Sequence, residues 1–102
     1  MNFFDIESLI NDIQESNTYY KSFIDTENMD VGVLHLKPDQ EDNQLPHDKD
    51  EVYFILQGDG YFEIGNEIHK IVENRFYFVP KEIKHRLFAN NKNIIAIYFF
   101  GS

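Results

Sequence analysis

The chain has no cysteine and no tryptophan, only three prolines and five glycines, and half as many basic as acidic side chains, nine Lys and Arg against eighteen Asp and Glu. Without cysteine there are no disulfides and no thiolate metal ligands, and the redox compartment is left open. A net charge of −9 opposes a phosphate backbone and an anionic bilayer surface, so neither nucleic acid nor a membrane is an expected partner. No apolar run approaches the roughly 20 residues that span a bilayer. The first ten residues carry Asp5 and Glu7 and no basic residue, unlike a secretory leader, so the expected location is the cytoplasm. A glycine-rich phosphate loop, a nucleophile elbow and a histidine pair on a helix are also missing.

What the chain has is aromatic surface. Ten Phe and six Tyr make 16% of 102 residues. Such side chains favour strands and large contact areas, and they exceed what one small core needs. The expectation is a single all-β domain over residues 1–102 that covers part of its surface by forming a homodimer.

Local patterns agree. Ile6, Leu9, Ile10 and Ile13 recur at helical spacing, predicting a short helix over residues 4–15, with Asp5 as N-cap and a Phe4–Leu9 staple. The remainder, about residues 19–100, reads as short strands. These are 19–24, 31–37, 52–57, 61–64, 67–72, 76–79, 85–88 and 94–100, separated by turn signals such as Gly58-Asp59-Gly60, Gly65-Asn66 and Pro80. Many short strands with no helix between them predict an antiparallel sandwich or barrel.

The chemistry available is that of His, Asp, Glu, Ser, Tyr and Lys. His47 and Glu51 lie four residues apart at the start of a strand, an interval that keeps both side chains on one face of an extended chain, and His85 opens a distant strand. Two imidazoles and a carboxylate are a common donor set for a divalent metal, and they leave positions open for water or substrate. The plain alternative is two surface histidines and a solvated glutamate. Gln44 offers a carbonyl oxygen as a further ligand, or simply anchors its loop. His35 shares a strand face with Val31 and Val33, and either lines the pocket opposite the metal or is a hydrogen-bonded core histidine. Tyr53, two residues after Glu51, either offers its hydroxyl to a ligand or packs as a ring; Tyr77 is similar. His69 reads as a surface residue. Lys81, Lys84 and Arg86 form a basic patch around His85, either merely solvated or steering an anion towards the pocket.

Two stretches resemble the paired motifs of the cupin superfamily. In the first, a His, three residues, a Glu, six residues and a Gly match His47, Glu51 and Gly58; in the second, a Pro, four residues and a His match Pro80 and His85. The resemblance runs over about residues 31–100. It implies an antiparallel jelly-roll barrel with the short helix outside it, dimers packed through aromatic strands such as Tyr98-Phe99-Phe100, and a metal held by His47, Glu51 and His85. The usual first histidine falls on Leu45, the glycines of the second motif on Asn74 and Glu82, and its closing Asn on Ala89. The donor set suits iron, zinc, nickel or manganese. The implied function is a metal-dependent enzyme, of dioxygenase or isomerase type, acting on an oxygen-bearing small molecule, or else a non-catalytic small-ligand or metal-binding module. No catalytic residue is assigned by the resemblance.

Overall fold

The computed structural model describes residues 2–101. One helix, α1 (Ile6–Gln14), precedes eight strands: β1 (Tyr20–Asp25), β2 (Asp30–Leu36), β3 (Glu51–Gln57), β4 (Tyr61–Ile64), β5 (Glu67–Lys70), β6 (Phe76–Val79), β7 (His85–Phe88) and β8 (Ile94–Phe100). They form a five-stranded sheet in the order β1-β2-β8-β3-β6 and a three-stranded sheet in the order β5-β4-β7. All pairings are antiparallel. This is the expected antiparallel jelly-roll barrel with a short helix outside. Among the described residues, no helix is long and apolar enough to cross a membrane.

Period-two patterning sorts the side chains. Along β3, Glu51, Tyr53 and Ile55 point inward and are buried, while Val52, Phe54 and Leu56 face outward and are half-buried. Along β7, His85 and Leu87 are buried and Arg86 is exposed. The interior between the sheets holds Leu34, Leu36, Tyr53, Ile55, Phe62 and Leu87 among others, with the Tyr53 ring edge-on to Phe62 at 4.9 Å. A second cluster forms where α1 lays Ile13 on Val31, Val33, Ile95 and Ile97, the outer face of the five-stranded sheet.

Two glycines matter for these approaches. A Cβ at Gly32 would overlap the Tyr98 ring across the β2–β8 ladder, at 2.2 Å from Cζ, so the missing side chain makes room for that ring. Gly58 adopts φ +131° with the Ile94 backbone beside it, a conformation that side chains disfavour. Asn74, Glu82 and Ala89 also have positive φ, near +60°. Three residues that are not glycine thus take a left-handed backbone where the second motif has its glycines and closing Asn.

The helix begins at Ile6 rather than Phe4. Asp5 has the extended backbone of an N-cap, but its side chain makes no capping hydrogen bond, and the Phe4 ring packs tilted against Phe23 at a centroid distance of 5.0 Å. The strand expected from Tyr19 begins one residue later, and Tyr19 turns its hydroxyl to the 37–50 loop. Of Tyr98, Phe99 and Phe100, only Phe99 belongs to the outer face; the other two pack against the interior.

Candidate metal centre

Glu51 comes from the five-stranded sheet and His85 from the three-stranded one, and both are almost fully buried. β3 is an interior strand, with Glu51 paired to Val79 on one side and Phe100 on the other, so its carboxylate has little freedom to move. His85 donates Nδ1–H to the Ile83 carbonyl at 3.0 Å. That bond leaves Nε2 with its lone pair turned inward, 3.3 Å from Glu51 Oε1. His47 adds a third donor, with Nε2 3.9 Å from the same oxygen.

The reason for the His47 placement differs from the one its spacing suggested. Four extended residues span about 13 Å, so a shared strand face cannot by itself bring His47 to Glu51. A bend at Asp48-Lys49 folds the chain back. The Glu82 amide donates to the His47 carbonyl, the Lys81 amide to Asp50 Oδ1 at 2.9 Å, and the His47 ring lies edge-on to Phe100 at 4.6 Å. The turn after Pro80 thus holds both the loop carrying His47 and the strand carrying His85.

One atom from each of the three residues falls within 4.8 Å of the others. Two ligands about 2.1 Å from one ion lie about 3.4 Å apart at a tetrahedral angle, and the 3.3 and 3.9 Å separations bracket that value. Both Glu51 oxygens and His85 Nε2 are buried without a hydrogen-bond partner. The 3.3 Å approach lacks the alignment of a hydrogen bond, and with the ring proton on Nδ1 it sets two lone-pair atoms face to face. Buried polar atoms are normally paired, and an unpaired carboxylate and imidazole 3.3 Å apart are what a cation would satisfy. The chemistry of the donor set fits a divalent ion.

Burial pulls the His47 pKa below its ordinary value and nearby His85 adds to this, against the opposing pull of Glu51, Asp42 and Asp48. Burial works the same way on His85. There the contact with Glu51, the Ile83 carbonyl and the charges of Glu51 and Asp42 outweigh it, and the net pKa is raised.

Gln44 and Tyr53 join the cluster. Tyr53 donates its hydroxyl to Gln44 Oε1 at 3.2 Å, and the same oxygen lies 3.4 Å from His47 Nε2. Burial first, then the charges of Glu51 and Asp42, push the Tyr53 pKa well up, so the hydroxyl keeps its proton. Leu45, where the motif expects a histidine, is 78% exposed and offers no donor atom.

His35 is not in the site. It alternates with Leu34 and Leu36, which face the interior, and so lies on the α1 side with Val31 and Val33. Its Nε2 is buried without a hydrogen-bond partner, and burial, then Lys37, lower its pKa. Tyr77 is bound elsewhere, donating to the Lys70 carbonyl at 2.6 Å. His69 is an exposed residue beside Glu67, as expected. In the basic patch, Arg86 is paired with Glu63 at 2.8 Å and covers the Phe88 ring, while Lys84 and His85 line a cavity of about 380 Å³ with Asp42 and Gln44. A second cavity of about 420 Å³ reaches His47 and Gln44 between Tyr19, Tyr20 and Leu45.

Sequence reasoning missed the roles of Asp42 and Tyr19. Asp42 is buried; its Oδ1 accepts from Gln44 Nε2 at 2.9 Å and from the Tyr19 hydroxyl at 3.0 Å, and its Oδ2 accepts from the Leu87 amide at 2.9 Å. No local pattern separates it from its acidic neighbours Asp39 and Glu41.

Comparison with known proteins agrees with this fold. A family model described as the cupin domain matches residues 32–100. An uncharacterized protein of Streptomyces coelicolor is 28% identical over 82 residues, 80% of this chain and 78% of that one. The crystal structure of TT1209 from Thermus thermophilus superposes with a TM-score of 0.80 at 17% identity, covering 99% of this chain and 97% of that one. The DMSP lyase DddQ from Ruegeria pomeroyi gives a TM-score of 0.74 at 17% identity, over 81% of this chain but 46% of the lyase. At these identities the two structures show likeness of fold alone.

Proposed function

The chain belongs to the cupin domain family, and on that footing we propose that it binds one divalent metal ion through His47, Glu51 and His85 and acts as a small metal-dependent enzyme on an oxygen-bearing small molecule. The observation that carries the reading is that Glu51 Oε1 and His85 Nε2 lie 3.3 Å apart, both buried and both without a hydrogen-bond partner among the described residues. A bound ion would supply Lewis acidity and a template for the substrate oxygens. The chain's own groups do the rest. The Ile83 carbonyl fixes the His85 tautomer, and the interior barrel residues Tyr53 and Phe62 keep water from the inner side. Half-exposed His47 marks the open side. The polar walls beyond the three ligands, with Gln44, Asp42, Lys84 and Arg86 facing the cavity, favour catalysis over passive ligand storage. Two nitrogens and a carboxylate suit zinc, iron, nickel or manganese. Calorimetric titration of metal-free protein with each ion tests the reading. One equivalent bound per chain is expected, and no saturable binding by any of the four would overturn it.

We also propose a homodimer. Phe76 and Phe78 on β6 are 65% and 57% exposed, and with Phe99, Phe54 and Val52 they make an uncharged aromatic face not covered by α1. Among the described residues β6 pairs only with β3, which leaves its other edge open. Such a face is self-complementary under a two-fold axis. Light scattering at micromolar concentration is expected to return twice the chain mass of 12.1 kDa. Phe78→Asp is expected to return that single mass, and a monomeric parent protein would refute the dimer.

A further inference from the structure

We infer that Gln44 is a fourth, neutral oxygen donor to the ion, and that Asp42 is the positioning residue that aims it. The inference rests on the metal reading above. A carboxylate can only accept hydrogen bonds, so the 2.9 Å contact between Gln44 Nε2 and Asp42 Oδ1 decides which way the amide points. Were it reversed, its oxygen would lie against the carboxylate. Asp42 is itself held by the Tyr19 hydroxyl and the Leu87 amide. Gln44 Oε1 is thereby turned towards the cluster, 3.4 Å from His47 Nε2. It accepts one hydrogen bond from Tyr53 and keeps a second lone pair free.

The 3.4 Å contact has two incompatible meanings. If His47 Nε2 carries a proton, it donates to Gln44 and cannot ligate. If His47 ligates, both atoms are acceptors, and their spacing is that of two ligands on one ion. The unpartnered buried atoms of Glu51 and His85 beside them select the second. Leu45, where the family motif has its first histidine, points to solvent, and Gln44, one residue earlier, points inward. The missing ligand is replaced by a one-residue shift along the loop, and Asp42 plays the part that outer carboxylates play for ligating histidines.

Cobalt(II) is the probe, followed by calorimetry and by its visible absorption, with circular dichroism of each metal-free variant as the folding control. The parent protein is expected to bind one equivalent and His85→Ala none. Gln44→Ala is expected to bind about 10- to 100-fold more weakly, with changed absorption bands. Asp42→Asn keeps an acceptor for the Leu87 amide but lets the Gln44 amide turn over, so a weaker and spectrally altered site is expected. Gln44→Glu alone sets two carboxylates against each other. Combined with Asp42→Asn, it regains a donor and is expected to recover the parent affinity. If Gln44→Ala keeps the parent's affinity and bands while His85→Ala binds nothing, the three-residue site stands and Gln44 is only a loop anchor. If the parent binds no cobalt, the metal reading falls and this inference with it.

Discussion

Added zinc, nickel or manganese is expected to raise the melting temperature at neutral pH, and His85→Ala is expected to abolish that rise. An ion at a hundredfold excess over its dissociation constant stabilises the fold that binds it by about 3 kcal/mol. For a domain of this size that is about 10–20 °C. His85 is decisive because its Nε2 is buried and its tautomer is fixed by Ile83, so no rotation of a neighbour replaces it. The substitution also removes the ring beside the Glu51 carboxylate, so the quantity to compare is the metal-induced shift of each variant, not its absolute melting temperature. If His85→Ala and the parent respond equally, the ion binds elsewhere and the cluster is structural.

The same shift is expected to shrink from about pH 7 to pH 5, because both imidazoles must be neutral to ligate. The order is set by their opposite displacements. His85, raised, takes up a proton first on acidification, whereas His47, lowered, resists. In the metal-free fold the raised His85 pKa contributes stability that is full below the unfolded value of about 6.5 and is lost as pH rises through the folded value. Acidification therefore strengthens the metal-free reference through His85 while weakening the metal-bound state. The lowered values of His47 and His35 act in the other direction, with stability lost as pH falls. Because His35 lies outside the site, its contribution is common to both states and cancels in the difference. Thermal scans with and without metal at about pH 7.5, 6 and 5 read this directly, and a pH-independent shift would argue against histidine ligation.

Glu51→Gln is expected to do two opposite things: to raise the stability of the metal-free protein by roughly 1–2 kcal/mol, about 5–15 °C, and to remove the metal response. The carboxylate is 1% exposed and neither oxygen receives a hydrogen bond, so without an ion its burial is a cost to folding. Glutamine has the same shape, carries no charge and brings its own N–H to a position 3.3 Å from His85 Nε2. β3 is paired on both sides at residue 51, so the backbone has no reason to move. A site kept at the expense of stability is the signature of function. If Glu51→Gln instead lowers the metal-free melting temperature at about pH 8, where His85 is largely neutral in the unfolded chain, the Glu51–His85 pair is net stabilising, and the cluster is there to hold the barrel together.

The strands, the outside helix and the candidate trio of His47, Glu51 and His85 were legible in the sequence because each has a local cause. Alternation along residues 51–57 follows from one buried face, turns follow from Gly58, Gly65 and Pro80, and the spacing of His47, Glu51 and His85 within two motifs carries the site. Which side of each sheet faces what has no such local cause. His35 reads as a pocket residue from its strand, yet α1 covers that face, and only the packing of the two sheets shows that Leu34 and Leu36 line the interior. Tyr19 and the Leu87 amide meet Asp42 from 23 and 45 residues away, and a loop with no period holds no record of such partners. Periodicity, which acts within a few residues, was enough for an antiparallel all-β fold, and the resemblance to the two cupin motifs pointed to the barrel and to the three candidate donors. The bend that brings His47 to Glu51, the aim of Gln44 and the exclusion of His35 came only with the folded chain, because each depends on contacts between segments that are distant in sequence.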